Sequence, residues 1–240
     1  ELPSKLCAAG AAVALPASSF PPPSHEQISL TDLTATHAIQ RQKAGLSTSE
    51  LKAALRWAAN LHAATWEGSG GLVELLPSLW PTGTFFRLQT RHEELETLSA
   101  AAVDGGDSSS LLARVAKAVD WRLRGVRTPP RPGEADDGRL VAGASGWALL
   151  HGDLKAPNLF FSAEVAVPAS PGPASAAACD FQYTGPGCVM LDVAYLLCNS
   201  ARAEQLADGK DSELVACYVE ELARARERQG GLHADGAAAY

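Results

Sequence analysis

The sequence has few of the features that mark membrane-spanning, zinc-binding or nucleic-acid-binding proteins. Its five cysteines are an odd number and form neither a CxxC pair nor a Cys/His cluster with zinc spacing. No apolar run reaches the about 18 residues that a membrane-spanning helix needs. The formal net charge of -7 argues against a general basic surface for nucleic acids or anionic lipids. These absences predict a reduced, cytoplasmic protein with no membrane span and no nucleic-acid partner.

The N-terminal part of the chain shows little regular patterning. Residues 1–27 are rich in Ala, Pro and Ser, and "ISLTDL" (28–33) is a short β-like run. The chain begins with Glu1 instead of methionine, so the sequence does not decide whether a targeting segment precedes it. At the other end, residues 230–240 are rich in Gly and Ala and are predicted to form a loose tail.

The clearest helix begins at a capping box, in which Ser47 and Glu50 have the S-x-x-E spacing. Apolar residues then recur at helical spacing and predict a helix to about Trp66. His62 lies on the buried face of this helix, and we expect it to be a core histidine held by a hydrogen bond. The five tryptophans are predicted as core side chains, of which one or two could line a substrate pocket. Three further helices are predicted, at residues 112–123, 190–206 and 212–229.

Two segments carry polar residues with the chemistry of phosphoryl transfer, "LLHGDLKAPNLFF" (149–161) and "ACDFQYTGPGCVMLDVAYLL" (178–197). This reaction needs charge neutralisation at the phosphates and a positioned hydroxyl nucleophile. Mg²⁺ supplies the first, and it takes one or two protein oxygens besides water and phosphate. A β-hairpin between the segments would bring Asp180 beside Asn158. These two residues would then share a Mg²⁺ site, and Asp153 would be left as the base.

Two other residues of the first segment have less specific roles. Lys155 lies two residues beyond Asp153, where its ammonium group could offset charge on the transferred phosphoryl group. A loop lysine of this kind is equally often simply solvated. His151 precedes the loop and is predicted to pack and to hydrogen-bond there instead of acting as a catalyst.

The order H-G-D-x-x-x-x-N followed by D-F resembles the catalytic loop and metal-binding motif of the protein-kinase-like superfamily. Gly152 stands where protein kinases have Arg, and Gln182 stands where they have Gly. Both departures resemble the aminoglycoside phosphotransferase and choline kinase branch, which phosphorylates small molecules. The segment "DFQYTGPGCVMLDVAYLL" is most similar to the CHK kinase-like (ecdysteroid kinase-like) family.

The resemblance extends upstream, through "ALRWAANLHAATW" and a hinge-like "ISLTDL", and covers roughly residues 28–225. It implies an α+β, protein-kinase-like fold, of which residues 28–229 form the mostly helical C-terminal lobe and a short β-hairpin carries the motifs. It also implies ATP and Mg²⁺ as cofactors and a small-molecule alcohol as substrate. By the same resemblance the base is Asp153, the Mg²⁺ ligands are Asn158 and Asp180, and Asp192 braces the catalytic loop. Asp32, in the hinge segment, is counted with the cofactor-binding residues.

The N-terminal elements with which kinases bind the phosphates of ATP are not recognisable in this sequence. Residues 1–27 contain no Gly-rich loop and no β3-type lysine strand, so the N-terminal β lobe is predicted to be largely missing. The leading hypothesis is therefore an ATP-dependent small-molecule kinase seen mainly as its C-terminal lobe. A pseudokinase or ligand-binding module is the second hypothesis, and a protein Ser/Thr kinase is the third. The sequence specifies neither the alcohol nor the oligomeric state.

Overall fold

A computed structural model describes most of the chain from Gly45 onward and a few residues before it. The described residues are 18–19, 29–30, 38–39, 45–69, 72–84, 87–88, 90–105, 107–123, 146–161 and 175–237. Asp32 lies outside them. Residues 1–27, in which the N-terminal β lobe is predicted to be largely missing, are described only at Ser18–Ser19.

Helices make up most of the described structure, and the strands are short. The α-helices are α1 (Thr48–Ala64), α2 (Leu72–Leu75), α3 (His92–Gly105), α4 (Asp107–Leu123), α5 (Met190–Ser200), α6 (Ala203–Leu206) and α7 (Lys210–Ala237). The strands are β1 (Ser18–Ser19), β2 (Ser29–Leu30), β3 (Ala38–Ile39), β4 (Trp147–Leu150), β5 (Leu159–Phe161), β6 (Ala176–Ala178) and β7 (Gly185–Cys188). Among the described helices, none combines the length and apolarity that crossing a bilayer would require.

Helix α1 begins at the predicted capping box. The Ser47 hydroxyl accepts a hydrogen bond from the Glu50 amide, and the Glu50 carboxylate accepts one from the Ser47 amide at 2.7 Å. Two of the amide groups that a helix start leaves without a partner are thereby satisfied. Helix α1 is buried on most sides, and a separate 3₁₀ turn, Trp66–Gly68, follows its end at Ala64. The predicted helix is confirmed.

Helix α7 packs along α1 and closes the core. Leu214, Tyr218 and Leu222 are buried on one face of α7, as their spacing of four predicts. The helix continues to Ala237, so residues 230–237, predicted as part of a loose tail, are helical instead. Two successive glycines weaken a helix by about 1 kcal/mol each relative to alanine, but they do not prevent helical backbone angles.

The helix predicted over 190–206 is interrupted. Ala201 and Arg202 have extended backbones, so α5 ends at Ser200 and a short α6 follows. The reason is tertiary. The Ser200 carbonyl accepts a hydrogen bond from the Leu46 amide at 2.7 Å, and its hydroxyl accepts one from the Ala156 amide at 2.8 Å.

Within the described ranges, the strand pairs are antiparallel and form three small sheets, β1–β2, β3–β5–β6 and β4–β7. Strands β5 and β6 form the hairpin that was predicted between the two motif segments, with Leu159 opposite Ala178. Strands β4 and β7 pair through four residues each and flank the same motifs. The expected α+β class, mostly helical with a short hairpin carrying the motifs, is confirmed.

Candidate active site

The segment H-G-D-x-x-x-x-N (residues 151–158), called here the catalytic loop after the motif that it resembles, follows strand β4 and turns sharply at Gly152. Gly152 has a φ of +86°, in the left-handed region that side chains disfavour. A Cβ at this position would also collide with the backbone carbonyl oxygen of Tyr183. The glycine therefore allows the catalytic loop and the D-F-Q-Y segment to touch backbone to backbone.

Asp153 is almost completely buried, with 2% of its surface exposed. Its Oδ2 atom accepts a hydrogen bond from Asn158 Nδ2 at 3.1 Å and forms an ion pair with Lys155 Nζ at 2.8 Å. Its Oδ1 atom is buried and accepts no hydrogen bond from the described residues. The two oxygens of one carboxylate are thus in different situations, and only Oδ1 is left for a ligand.

Asn158 is oriented by Asp153. Its amide nitrogen also donates to the Asp153 backbone carbonyl at 2.9 Å. A carboxylate and a carbonyl can only accept, so the amide must present its nitrogen to both. The Asn158 side-chain oxygen is then the atom that remains as a metal ligand.

The hairpin brings Asp180 to Asn158. The Asn158 carbonyl accepts a hydrogen bond from the Cys179 amide at 3.0 Å, directly beyond the last pair of β5 and β6. Asp180 follows with a φ of +65°, a left-handed conformation that Asp tolerates better than most residues, and its side chain is exposed. The proximity of these two segments was predicted from the sequence.

The donor set fits a magnesium ion better than a protein-enclosed metal. Among the described residues, no group of three or more His, Cys, Asp and Glu side chains could enclose an ion. The exposed Asp180 carboxylate and the Asn158 side-chain oxygen are two hard oxygens on segments that the Cys179–Asn158 backbone hydrogen bond holds together. Mg²⁺ commonly uses such partial sites and completes its shell with water and phosphate oxygens.

His151 supports the loop from within the core. Its Nε2 atom lies 2.8 Å from the Cys179 carbonyl oxygen, and its Nδ1 atom accepts from the Asp153 amide at 3.3 Å. Its ring packs against Phe181, with 4.5 Å between the ring centroids. Burial lowers the pKa of His151, although neighbouring carboxylates and the Cys179 carbonyl oppose this. The side chain therefore connects the two motif segments as a neutral ring.

Asp192, on α5, binds the start of the catalytic loop. Its two carboxylate oxygens accept hydrogen bonds from the His151 amide at 2.7 Å and the Gly152 amide at 3.0 Å. Burial acts to raise the pKa of Asp192, but the hydrogen bond and charge of His62 and the hydrogen bond from the Gly152 amide hold it below its ordinary value. The carboxylate is thus buried and ionised.

Sequence reasoning did not single out Tyr195. It lies three residues beyond Asp192 on α5, and its side chain is half-buried. Burial, next the charge of the Asp153 carboxylate, and then a hydrogen bond to that carboxylate raise the pKa of Tyr195 to about 12. Its phenol therefore stays protonated beside the candidate base. The i,i+3 spacing from Asp192 could have indicated this, since such residues share a helix face.

Trp80 was predicted as a core residue, but it lies by the D-F-Q-Y segment (residues 180–183). Its indole N–H donates to the Gln182 carbonyl at 2.6 Å, its ring lies 6.1 Å from that of Tyr183, and 43% of its surface is exposed. The backbone around it runs beside β7, where the Gly83 amide donates to the Pro186 carbonyl. Among the described residues, an exposed Trp80 and a half-buried Tyr183 thus border the site.

We expect Gly152→Ala to destabilise the protein strongly. The left-handed backbone costs about 1–2 kcal/mol for a residue with a Cβ, and the collision with Tyr183 adds to this cost. Gly146→Ala is a matched control, because Gly146 has a φ of +77° but open space around its Cβ. Urea unfolding of both variants measures the difference. Equal losses of unfolding free energy would show that the contact with Tyr183 has no importance.

Comparisons with known proteins found one matching family model and several similar solved structures. Residues 142–231 match the model of the ecdysteroid kinase-like family. Similar solved structures include an aminoglycoside-3'-phosphotransferase of type VIII, with 16% identity and a TM-score of 0.42 over 94% of this chain and 72% of that one. Another is a choline/ethanolamine kinase family protein from Mesorhizobium loti, with 15% identity and a TM-score of 0.46 over 92% of this chain and 60% of that one.

No curated protein matches the sequence significantly. The family match spans β4, the catalytic loop, the hairpin and α5, and it ends within α7. The resemblance to the ecdysteroid kinase-like family that the motifs indicated is therefore confirmed for residues 142–231, the part of the chain that carries the candidate active site.

Proposed function

We propose that this chain carries the base and the metal ligands of an ATP- and Mg²⁺-dependent kinase that phosphorylates a hydroxyl group of a small molecule. The observation that supports this most directly is the unequal use of the Asp153 oxygens. Oδ2 is held by Lys155 and Asn158, whereas Oδ1 is buried without a hydrogen-bond donor from the described residues.

A buried carboxylate oxygen without a donor is costly to the free protein. Leaving such an acceptor unsatisfied typically costs about 1–3 kcal/mol. A ligand with an O–H group would supply the missing hydrogen bond. An alcohol bound at Oδ1 has its proton directed at the base, which is the geometry that general-base catalysis requires.

The remaining groups suit phosphoryl transfer. As the alcohol oxygen forms its bond to the terminal phosphorus of ATP, the bond from that phosphorus to the ADP oxygen breaks and ADP leaves, while the alcohol proton passes to Asp153 Oδ1. Lys155 can exchange its ion pair with Asp153 for one with the phosphate, and so offset the negative charge there. Mg²⁺, when held by Asn158 and Asp180, would neutralise charge on the phosphates. The protonated Tyr195 phenol hydrogen-bonds to Asp153 and so helps to hold the base in place.

The metal-ligand assignment predicts that Asp180→Asn weakens binding of Mg-ATP roughly tenfold to a hundredfold, because a bond to a charged group contributes about 1.5–3 kcal/mol. Asparagine tolerates the left-handed backbone of Asp180, so the substitution tests the charge alone. Asp208→Asn is the matched control, since Asp208 is also exposed and has a φ of +56°. Calorimetry with ATP, with and without Mg²⁺, measures both variants.

The activity itself is tested by following phosphate transfer from labelled ATP to a panel of hydroxylated small molecules. Transfer that requires Mg²⁺ and is lost in Asp180→Asn but retained in Asp208→Asn would support the proposal. Mg-ATP binding without transfer to any acceptor would favour the ligand-binding module. Equal behaviour of the two variants would contradict the assignment of the metal ligand.

A further inference from the structure

A chain of buried hydrogen bonds connects α7 to the catalytic loop through α1 and α5. The Tyr218 hydroxyl lies 2.8 Å from His62 Nδ1, and His62 Nε2 lies 3.3 Å from Asp192 Oδ2. All three side chains are at most 2% exposed. Asp192 in turn accepts the amides of His151 and Gly152. Each of the three helices contributes one of these polar groups, which lie among the apolar side chains of the core.

The direction of these hydrogen bonds follows from the chemistry of the groups. The ionised carboxylate of Asp192 can only accept, so the proton lies on Nε2 of His62. On the other side of the ring, Nδ1 has the Tyr218 hydroxyl as its hydrogen-bond partner. Burial, followed by the nearby Asp192 charge, raises the pKa of Tyr218, so the phenol stays protonated. The hydroxyl thereby holds the ring in the orientation from which Nε2 donates to Asp192.

The position of Asp192 determines the position of the loop. Its two oxygens bind successive backbone amides directly before Asp153. On its other side, the only side chain that an observed hydrogen bond connects to Asp192 within the described part of the chain is His62. A rotation of the carboxylate would release one or both amides and would move Asp153 with them. Displacements of about 1 Å at a reacting group can lower a rate about a hundredfold.

We propose that Tyr218 and His62 are positioning residues for the phosphotransfer reaction, which hold Asp192 and through it the catalytic loop. This inference rests on the proposed function. Among the described residues, no hydrogen bond or ion pair joins either residue directly to Asp153, Asn158 or Asp180. They act by fixing the orientation of the Asp192 carboxylate. Because Tyr218 lies on α7 and His62 on α1, the site is ordered only when α7 is packed against α1.

The matched pair of variants is Tyr218→Phe and Thr65→Val. Tyr218→Phe keeps the ring, which meets that of His62 edge-on, and deletes only the hydroxyl. Thr65→Val also deletes one buried hydroxyl, but this one accepts from the Leu149 amide on β4 at 3.0 Å, donates to the Leu61 carbonyl at 3.0 Å and does not contact Asp192. Both variants thus remove buried hydrogen bonds without changing an apolar contact. Their losses of stability are therefore expected to be similar, and only Tyr218→Phe affects the support of Asp192.

Two measurements on the full chain test the proposal. In Tyr218→Phe, we expect hydrogen exchange at the His151 and Gly152 amides to accelerate while the α1 amides remain protected. We also expect kcat to fall, by up to about a hundredfold, with little change in the KM for ATP. Thr65→Val should change neither quantity. His62→Phe should repeat the effect, and His62→Gln, which retains a donor and an acceptor, should restore part of kcat.

The outcomes separate this inference from the proposed function. Unchanged exchange at the His151 and Gly152 amides in Tyr218→Phe would overturn the positioning role, and so would a loss of kcat equal to that of Thr65→Val. If the unmodified chain transfers no phosphate, the proposed function fails, and the exchange measurement still decides whether Tyr218 and His62 hold the loop.

Discussion

Asp153→Asn should abolish most phosphate transfer while leaving the fold and Mg-ATP binding intact. The asparagine oxygen can replace Oδ2 and keep the contacts with Lys155 and Asn158. Its amide group then occupies the position of Oδ1 and cannot take a proton. General-base catalysis contributes typically about 10²–10⁴-fold to a rate, and we expect a loss of this order in kcat. Steady-state kinetics with the best acceptor of the panel measures it.

The control for this substitution is the stability of the variant. Asp153→Asn preserves the size of the side chain, so thermal unfolding should be close to that of the unmodified protein. Calorimetry should show Mg-ATP binding, because Asn158 and Asp180 are unchanged. Full activity in Asp153→Asn would remove the assignment of the base, whatever the other residues do.

Asp192→Asn should cause the second largest effect, on stability as well as on turnover. The carboxylate accepts hydrogen bonds from the amides of His151 and Gly152 and from His62, all of them buried. An amide presents N–H groups to at least one of these donors. Removing one partner of a buried charged interaction costs about 3–5 kcal/mol, a large part of the about 5–15 kcal/mol by which domains are stable. Urea unfolding at neutral pH measures the loss.

The pH dependence of that difference provides an independent check. The pKa of Asp192 in the folded protein is below its ordinary value of 3.8. The unfolded chain therefore takes up the proton first as the pH falls. The stabilisation by Asp192 is fully present above pH 3.8 and declines as the pH falls from there through the folded-state pKa. The gap between the unmodified protein and Asp192→Asn should narrow over that acidic range; a gap that stays constant would contradict the burial of an ionised Asp192.

Local features of the fold could be predicted because their causes lie within a few residues. The capping box of Ser47 and Glu50 satisfies amides of the same helical turn, so the start of α1 is encoded locally. The hairpin could be predicted because apolar runs flank both motifs, and its pairing brings Asn158 and Asp180 together. The spacing of four along α7 likewise predicted its buried face.

Other features depend on partners that are distant in the sequence. Helix α5 ends at Ser200 because Leu46 and Ala156 bind that residue, and neither partner could be inferred from the periodicity of α5. His62 was predicted to have a hydrogen-bond partner, but its partners Tyr218 and Asp192 are 156 and 130 residues away. The two Asp153 oxygens have different contacts because of how the side chain is oriented, and residue spacing does not specify that orientation.

The β5–β6 hairpin also determines where this protein can vary in length. The geometry between the two motifs is set by the three paired residues on each strand and by the Cys179–Asn158 hydrogen bond, not by the chain that joins Phe161 to Ala176. The entropic cost of bringing the two ends of a loop together rises by only about 0.6 kcal/mol for each doubling of the loop length. This joint is therefore the place at which a peptide tag or a fluorescent reporter could be inserted, a few residues in sequence from the active site and without altering its spacing.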